Sequence, residues 1–305
     1  MLYPQSRAAL EAAAAEPDVG SPEFDLVATR ERQRALAAEE PREPVAEVRD
    51  VDADGVPCRV YRPVSTGSTT GVVVHLHGGG FVLNDIDVHD AAARRLANRS
   101  GAAVLSVDYR RPPEHQFPAA PDDVDTALRW LQREGPSYGL AAEALVAHGD
   151  SAGGNLALVA ALRNPGAFRA LVLLYPFVDA QMAEASYDTE VGGLDREEAR
   201  WYWEQYASGP DDFRDPDFSP YGDTGRLATL PPTLVVTAEH DPLREEGERL
   251  ATRMAEAGVS VVATRYLGMV HGFWRHGDAF DAAEPLTRQV AGFVDLHLGP
   301  ASGRG

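Results

Sequence analysis

The chain has one cysteine, little basic charge and no long apolar segment. Cys58 has no partner for an internal disulfide, which excludes a disulfide-stapled secreted fold. The longest apolar stretch, residues 170–178, is far shorter than the roughly 20 residues that cross a bilayer. Basic residues number 28 against 47 acidic ones, and the net charge of −19 disfavours nucleic acid and anionic membrane surfaces as partners. These absences predict a cytoplasmic protein without a membrane span.

The rest of the composition is that of an ordinary globular protein. Of the 305 residues, 44% are hydrophobic and 25% are charged, which suits one large α/β domain or a core with a smaller appendage. Residues 1–15 lack a basic leader before an apolar run, so we expect a helix there and not a signal peptide. Pro17 and Pro22 interrupt the helical pattern, which predicts two helices within residues 1–44.

From residue 71 onward, apolar strands alternate with helical segments, as is typical of a mostly parallel sheet covered on both faces. Before that point, two β-rich runs at 45–51 and 56–61 flank a turn sequence and predict an antiparallel hairpin. The further strands are expected at 72–77, 103–107, 145–148, 170–174, 233–238 and 259–266. Helices are expected at 90–99, 119–133, 152–162, 244–257 and 279–297.

One connection, residues 179–230, is much longer than the 2–6 residues plus a helix that such links usually need. We therefore expect a core formed by 45–178 and 231–305, with 1–44 and 179–230 as a cap over the carboxyl edge of the sheet, where ligands bind. Four aromatic residues are expected to line an acyl pocket there, with core packing as the alternative: Phe81, Trp201, Trp203 and Tyr206.

Residues 149–153 read Gly-Asp-Ser-Ala-Gly and lie between a predicted strand and a predicted helix. Gly149 and Gly153 leave room for a tight turn that raises Ser151 above the sheet. A glycine-rich βα turn or a phosphate loop is the alternative, but neither the Walker nor the dinucleotide pattern fits. The motif predicts that Ser151 is a nucleophile.

A second glycine-rich segment, His77 to Phe81, directly follows the strand predicted at 72–77. Consecutive glycines are costly in backbone entropy, so they indicate a backbone that approaches something closely. Beside a serine nucleophile, the amides of Gly79, Gly80 and Ala152 are predicted to hold the oxyanion of a tetrahedral intermediate. A flexible surface loop is the alternative.

A serine nucleophile needs a base, and only position separates the nine histidines. His271 lies between the last predicted strand and the last predicted helix, which is where the base of such hydrolases lies. Asp241 follows the preceding strand and is predicted to orient His271 in the chain order Ser, Asp, His. Glu239 and Glu245 are rival acids, and a helix-capping role for Asp241 is the alternative.

The other histidines are expected to have structural or surface positions. His240 and His276 are predicted at the surface, and His75, His77 and His148 in the interior, with His77 bracing the glycine-rich loop. No Cys/His cluster has metal-ligand spacing. We expect neither a metal nor an organic cofactor.

These segments together resemble the hormone-sensitive-lipase-like family of α/β-hydrolases, bacterial esterases and acetylhydrolases with an HGGG motif. The resemblance spans residues 71–273 and includes further segments at 108–110, 113–115, 117–120, 175–176, 241–244 and 271–273. It implies an α/β-hydrolase fold with an eight-stranded, mostly parallel sheet and a helical cap. It also implies Gly79, Gly80 and Ala152 as oxyanion donors, and a homodimer formed through 259–266 and 279–297.

The expected function is that of a serine carboxylesterase, which hydrolyses short- to medium-chain esters of small molecules through Ser151, His271 and Asp241. A deacetylase or lactonase of a specialised metabolite would use the same three residues. A dehydratase of a β-hydroxy carbonyl compound and a non-catalytic ligand-binding protein are alternatives of other classes. The presence of both Ser151 and His271 favours hydrolysis.

Overall fold

A computed structural model of the chain describes residues 1–64, 70–190, 193–223 and 225–299. Its strands are β1 Glu47–Ala53, β2 Val56–Arg62, β3 Thr70–Leu76, β4 Ala103–Val107, β5 Leu140–Asp150, β6 Ala170–Leu174, β7 Thr233–His240 and β8 Val261–Val270. Its helices are α1 Pro4–Ala13, α2 Leu26–Glu39, α3 Asp90–Ser100, α4 Ala119–Glu134, α5 Ala152–Arg163, α6 Ser186–Thr189, α7 Arg196–Tyr206, α8 Arg244–Glu256 and α9 Ala283–Leu298.

The described strands form one eight-stranded sheet in the order β1-β2-β4-β3-β5-β6-β7-β8. Strand β2 is antiparallel to both of its neighbours, and every other pair from β4 to β8 is parallel. Because parallel strands end at the same edge of a sheet, the loops after β5, β7 and β8 meet there. The expected mostly parallel sheet of eight strands is present.

Successive residues of the strands pack on opposite faces of the sheet. Val72 and Val74 join the core beneath α4, α5 and α8, whereas Val73 joins the core beneath α3 and α9. Every residue of β4 and β6 is buried, which explains why these strands read as continuous apolar runs. Helices therefore cover both faces, as expected. Within the described ranges, no helix is long and apolar enough to cross a bilayer.

The ends of several elements differ from the sequence expectation. Strand β5 continues to Asp150 because Gly149 and Asp150 still pair with β6, so the strand runs up to the residue before Ser151. Strand β8 lies at 261–270 and not at 259–266. Its pairing with β7 begins where Val261 faces Thr233 and ends where Val270 faces His240. Helix α9 begins four residues later than expected, because turn hydrogen bonds to the carbonyl of His276 occupy the intervening segment.

The N-terminal helices and the 179–230 segment contact each other and the core. Ser6 in α1 donates to the carbonyl of Gly268 in β8 at 2.7 Å. Helix α2 begins at the capping side chain of Asp25, and its Arg30 donates to the carbonyl of Val82 at 2.9 Å. The boundaries expected between core and cap, at residues 44, 178 and 230, stay predictions. Residues 300–305, at the end of the expected last core segment, lie outside the described residues.

Candidate active site

Ser151, Asp241 and His271 each come directly after the last residue of a parallel strand. The imidazole of His271 lies between the other two: its Nε2 is 2.9 Å from Ser151 Oγ, and its Nδ1 is 2.8 Å from Asp241 Oδ2. The ring of Tyr175 stands edge-on to the imidazole, with 4.9 Å between ring centroids. The structure thus joins the three residues in one hydrogen-bonded series.

Ser151 has the strained backbone of a sharp strand-to-helix turn. Its φ is +55°, a value that side-chain-bearing residues rarely adopt. Backbone hydrogen bonds hold it there, from Ser151 N to the carbonyl of Leu174 at 2.9 Å and from Phe177 N to the carbonyl of Ser151 at 3.1 Å. The turn places the hydroxyl at the N-terminus of α5, where partial positive charge favours an anion.

The two glycines of the motif are required by close backbone contacts. A Cβ at Gly149 would lie 2.0 Å from the carbonyl oxygen of Gly153, and a Cβ at Gly153 would lie 1.9 Å from that of Leu76. Neither backbone atom can yield as a flexible side chain would. The small residues expected on either side of Ser151 are therefore a packing requirement of this turn.

Asp241 is completely buried and uses both carboxylate oxygens. Oδ1 accepts the amide of Leu243 at 2.8 Å, which leaves Oδ2 pointing at His271. Burial of the imidazole works to lower its pKa, but the carboxylate of Asp241, with smaller contributions from Asp150 and Glu198, outweighs this, so the pKa of His271 is raised above 6.5. The arrangement holds Nδ1 protonated and leaves Nε2 free to accept the proton of Ser151.

The rival acids bind backbone amides, and the two histidines expected at the surface are not exposed. Glu239 accepts the amide of Gly268 at 2.6 Å, and Glu245 accepts an amide of α6 at 3.0 Å. His240, expected at the surface, is half-buried beside Glu190 at 3.2 Å. His276, also expected at the surface, lines the cavity beside Ser151, and burial lowers its pKa to about 3. His276 follows the loop that carries His271, and this places it in the cavity wall and not at the surface as expected.

The glycine-rich loop after β3 presents unpaired amides toward this region. Gly79 and Gly80 have φ of +118° and +58°, which orient their peptide groups as few other residues could. Among the turn and loop hydrogen bonds of the described residues, none is donated by the amide of Gly79, Gly80 or Ala152. These three amides are thus available to an anionic ligand.

Tyr109 and Asp150 hold the loop in place, and neither was predicted to do so. The hydroxyl of Tyr109 donates to the carbonyl of His77 at 2.7 Å, and the two rings stack at 4.2 Å. Asp150 Oδ1 accepts the amide of Gly78 at 3.0 Å. Burial raises the pKa of Asp150 to about 6. Its position beside Ser151 in the sequence was the only available sign of this role.

The structure corrects the expected acyl pocket. The side chains of Phe81, Trp203 and Tyr206 are fully buried, so they expose no surface to a ligand. Phe81 stacks on Tyr206 with 3.9 Å between ring centroids, and Trp203 packs on Phe177 at 4.3 Å. They form an aromatic core between α7 and the sheet, which is the alternative considered from the sequence.

Trp201, the fourth expected pocket residue, is half-buried on another face of α7. Its ring stands edge-on to Phe24 at 5.5 Å and contacts the backbone of Gly20. It therefore joins the N-terminal segment to α7 and is absent from the wall of the cavity at Ser151. Successive residues of a helix point about 100° apart, so an aromatic run such as 201–203 cannot all face one pocket.

A cavity of about 190 Å³ opens beside Ser151 and His271. Its wall combines the glycine-rich loop, α2, α7 and the loop after β8. The lining residues that were not predicted as site residues are Gln33, Leu83, Asn84, Asp150, Phe177, Gly193, Leu194, Glu198, Tyr202, Gly272, Arg275 and His276. Glu198 and Tyr202 lie four residues apart, which places them on one helix face.

Beneath the site, His75, His89 and Asp150 have possible metal-ligating atoms within 4.8 Å of one another. The three are distant in sequence, so no spacing motif reveals them. His75 contacts His148 at 3.0 Å and His89 at 3.4 Å, and Asp150 binds the glycine-rich loop, whereas His89 Nε2 has no hydrogen-bond partner among the described residues. Burial lowers the pKa of His75 and His89 well below 6.5, so both imidazoles are neutral.

Known proteins share both the sequence and the fold of this chain. A family model described as the alpha/beta hydrolase fold matches residues 73–275. An ethyl acetate hydrolase from Pseudomonas putida is 35% identical over 257 residues, which are 81% of this chain and 80% of the relative. A carboxylesterase from Mycobacterium tuberculosis is 37% identical over 79% of each chain.

Among solved structures, a hyperthermophilic esterase from the archaeon Pyrobaculum calidifontis superposes with a TM-score of 0.90 at 36% identity, covering 98% of this chain and 99% of the other. The similarity therefore includes the N-terminal helices and the 179–230 segment as well as the sheet. The expected fold and family are confirmed. The chain belongs to the hormone-sensitive-lipase-like family of α/β-hydrolases, and it is a carboxylic ester hydrolase.

Proposed function

We propose that the protein is a serine carboxylesterase in which Ser151 is the nucleophile, His271 the general base and Asp241 the residue that orients it. The observation that carries this proposal is the hydrogen-bonded series from Ser151 through His271 to Asp241 at the wall of an open cavity. A non-catalytic binding protein would gain nothing from such a series.

The reaction follows from this geometry. His271 Nε2 takes the proton of Ser151 as Oγ attacks the ester carbonyl carbon, and the carbonyl oxygen becomes an oxyanion. The amides of Gly79, Gly80 and Ala152 stabilise that charge. Collapse of the intermediate expels the alcohol, which receives the proton from His271. Water then attacks the acyl-enzyme by the same steps and releases the carboxylic acid.

The substrates we propose are small esters with short to medium acyl chains. The cavity of about 190 Å³ is smaller than the roughly 300–1,000 Å³ of pockets that hold drug-sized ligands, which supports a small substrate. A relative named for hydrolysing ethyl acetate supports the lower end of this range.

We also propose that residues 1–44 and 179–230 act as a cap over the substrate. Gln33 from α2 and Tyr202 from α7 both line the cavity, so the two segments enclose it together.

A cytoplasmic location and dimerisation through β8 and α9 stay predictions. Val262 and Leu267 on the edge strand β8 are exposed, which supports the choice of that surface, and sedimentation of the purified protein tests it.

The test is hydrolysis of p-nitrophenyl esters from acetate to dodecanoate by the wild type and by Ser151→Ala. We expect a maximum at short acyl chains and a loss in the variant of at least ~10³-fold, as for other serine nucleophiles. Labelling by a serine-directed phosphonate should disappear in the same variant. Ser137→Ala, an exposed serine after α4, is the matched control. Full activity in Ser151→Ala would refute the nucleophile assignment.

A further inference from the structure

Glu198 is a carboxylate in the active-site cavity that the hydrolytic steps do not use. It lies in the first turn of α7 and lines the same cavity as Ser151 and His271. The hydroxyl of Tyr202, one turn further along the helix, donates to Glu198 Oε1 at 3.1 Å. The carboxylate is therefore held in a fixed position above the reacting groups.

The second oxygen of this carboxylate is available to a ligand. Among the residues that the structure describes, none donates a hydrogen bond or pairs as a cation to Glu198 Oε2. The neighbouring Glu197, by contrast, faces solvent and pairs with Arg200 at 2.7 Å. Because the half-buried side chain lines the cavity, a donor supplied by the substrate can reach this oxygen and replace solvent there.

The surrounding charges leave Glu198 unneutralised. Arg275 lines the cavity, but its guanidinium already pairs with Glu40 at 3.0 Å. His276 is neutral because burial lowers its pKa to about 3. Asp150 adds a second carboxylate to the wall. The cavity therefore contains a negatively charged hydrogen-bond acceptor. Among its described lining residues, no arginine or lysine is free to neutralise that charge.

Tyr202 ties this acceptor to the oxyanion loop. A Cβ at Gly80 would lie 2.2 Å from the Tyr202 ring, so the ring rests directly on the backbone of Gly80. The position of Glu198 is thereby coupled to that of an amide we assign to the oxyanion. A substrate held by both groups would have its ester carbonyl and a second polar group fixed at once.

We propose that Glu198 selects substrates, accepting through Oε2 a hydrogen bond from a hydroxyl or ammonium group carried by the ester. The substrate class that follows is short esters with a donor group close to the ester bond, on either the alcohol or the acyl part. Esters bearing a carboxylate are disfavoured by the same residue. This inference rests on the esterase activity proposed above.

Selection should depend on pH, because burial raises the pKa of Glu198 to about 7. The hydrogen bond from Tyr202 and the charge of His271 oppose this rise, while Asp195 and Asp18 add to it. The carboxylate is the stronger acceptor and forms above that pH. Ionisation of His271 in the free enzyme changes kcat/KM by the same factor for two substrates, so it cancels in their ratio. The pH dependence of that ratio therefore reports on Glu198.

The experiment compares matched ester pairs by titration of the released acid. On the alcohol side, 2-hydroxyethyl acetate is compared with propyl acetate. On the acyl side, methyl 3-hydroxybutyrate is compared with methyl butyrate. Acetylcholine, which carries a charge but no N–H or O–H donor, separates charge attraction from hydrogen bonding. Each ratio is measured between pH 6 and pH 8.5 in the wild type, Glu198→Leu, Glu198→Gln and Glu198→Asp.

We expect at least one hydroxyl-to-apolar ratio to fall about tenfold in Glu198→Leu, which is the loss of one hydrogen bond to a charged group. Glu198→Asp should restore part of the ratio, and Glu198→Gln should keep an acceptor but abolish the pH dependence. Glu197→Gln, the exposed neighbour on the same helix turn, should leave every ratio unchanged.

Unchanged ratios for both pairs in Glu198→Leu would overturn the inference, as would a response confined to acetylcholine. Equal loss on all esters with unchanged ratios would assign Glu198 a structural role, which also overturns it. A folded wild type that cleaves none of the five esters would instead count against the proposed esterase function. The two failures are therefore distinguishable in one experiment.

Discussion

Replacing Asp241 by Asn is the sharpest test of how the site works, because it preserves shape and changes only hydrogen bonding. The buried side chain has one oxygen bound to the amide of Leu243 and the other to His271 Nδ1, both at 2.8 Å. An Asn has one oxygen and one NH₂ group for these two places. Its oxygen goes to the Leu243 amide, since the opposite orientation would set two donors against each other.

The NH₂ group then faces His271 Nδ1 and requires that nitrogen to accept. The imidazole proton moves to Nε2, which now donates to Ser151 and can no longer take its proton. Reversing the Asn leaves the Leu243 amide unsatisfied, at ~1–3 kcal/mol, and the lost charge-assisted bond to the imidazolium adds ~1.5–3 kcal/mol. At about 1.4 kcal/mol per factor of ten, kcat should fall roughly 10²- to 10⁴-fold.

The assay is kcat and KM on p-nitrophenyl acetate at a pH where His271 is neutral, with the unfolding midpoint measured in parallel. Asp211→Asn is the matched control, because that side chain is 99% exposed and pairs only at 3.7 Å with Arg214. A folded Asp241→Asn protein whose kcat stays within a few-fold of the wild type would refute the orienting role. It would then leave Asp241 as a cap for the turn before α8.

Three further predictions concern the same region. The raised pKa of His271 means that its neutral, proton-accepting form predominates only at a pH above 6.5, so kcat/KM should rise with pH through a midpoint above that value, and a midpoint near 5 would contradict the assignment. Gly153→Ala should lower the free energy of unfolding by more than ~3 kcal/mol in urea titration, because its Cβ would meet the carbonyl of Leu76 at 1.9 Å. Gly209→Ala, which has open space around it, should leave unfolding nearly unchanged. Trp203→Ala should cost ~3–5 kcal/mol of stability without moving the preferred acyl length, whereas a clear shift in that length would return Trp203 to the pocket wall.

Much of the reacting centre was readable from short segments. The glycines around Ser151 are required by contacts within a five-residue turn and its neighbouring strand. The sequence pattern of this turn therefore predicts its backbone geometry directly. The chain order of Ser151, Asp241 and His271 follows from alternating strands and helices. In a parallel sheet, that order is enough to place all three at one edge.

Other features depended on contacts between distant segments. Trp201, Trp203 and Tyr206 looked alike in sequence, yet only the packing of α7 decided that the latter two enter the core and that Trp201 meets Phe24. Asp241 was one of three candidate acids within seven residues. The register of β7 beside β8 decides that Asp241 faces His271, while Glu239 binds the backbone of Gly268.

The sequence by itself determined the sheet, the nucleophile turn and the family, because each depends on local backbone geometry or on apolar periodicity, which neighbouring residues in the chain express directly. Only the tertiary structure decided the lining of the cavity. Gln33, Asn84, Glu198 and Arg275 come from separate loops and helices, and no local pattern records which side chains will face a common space. The chemistry of substrate selection therefore became visible only once these segments were packed together.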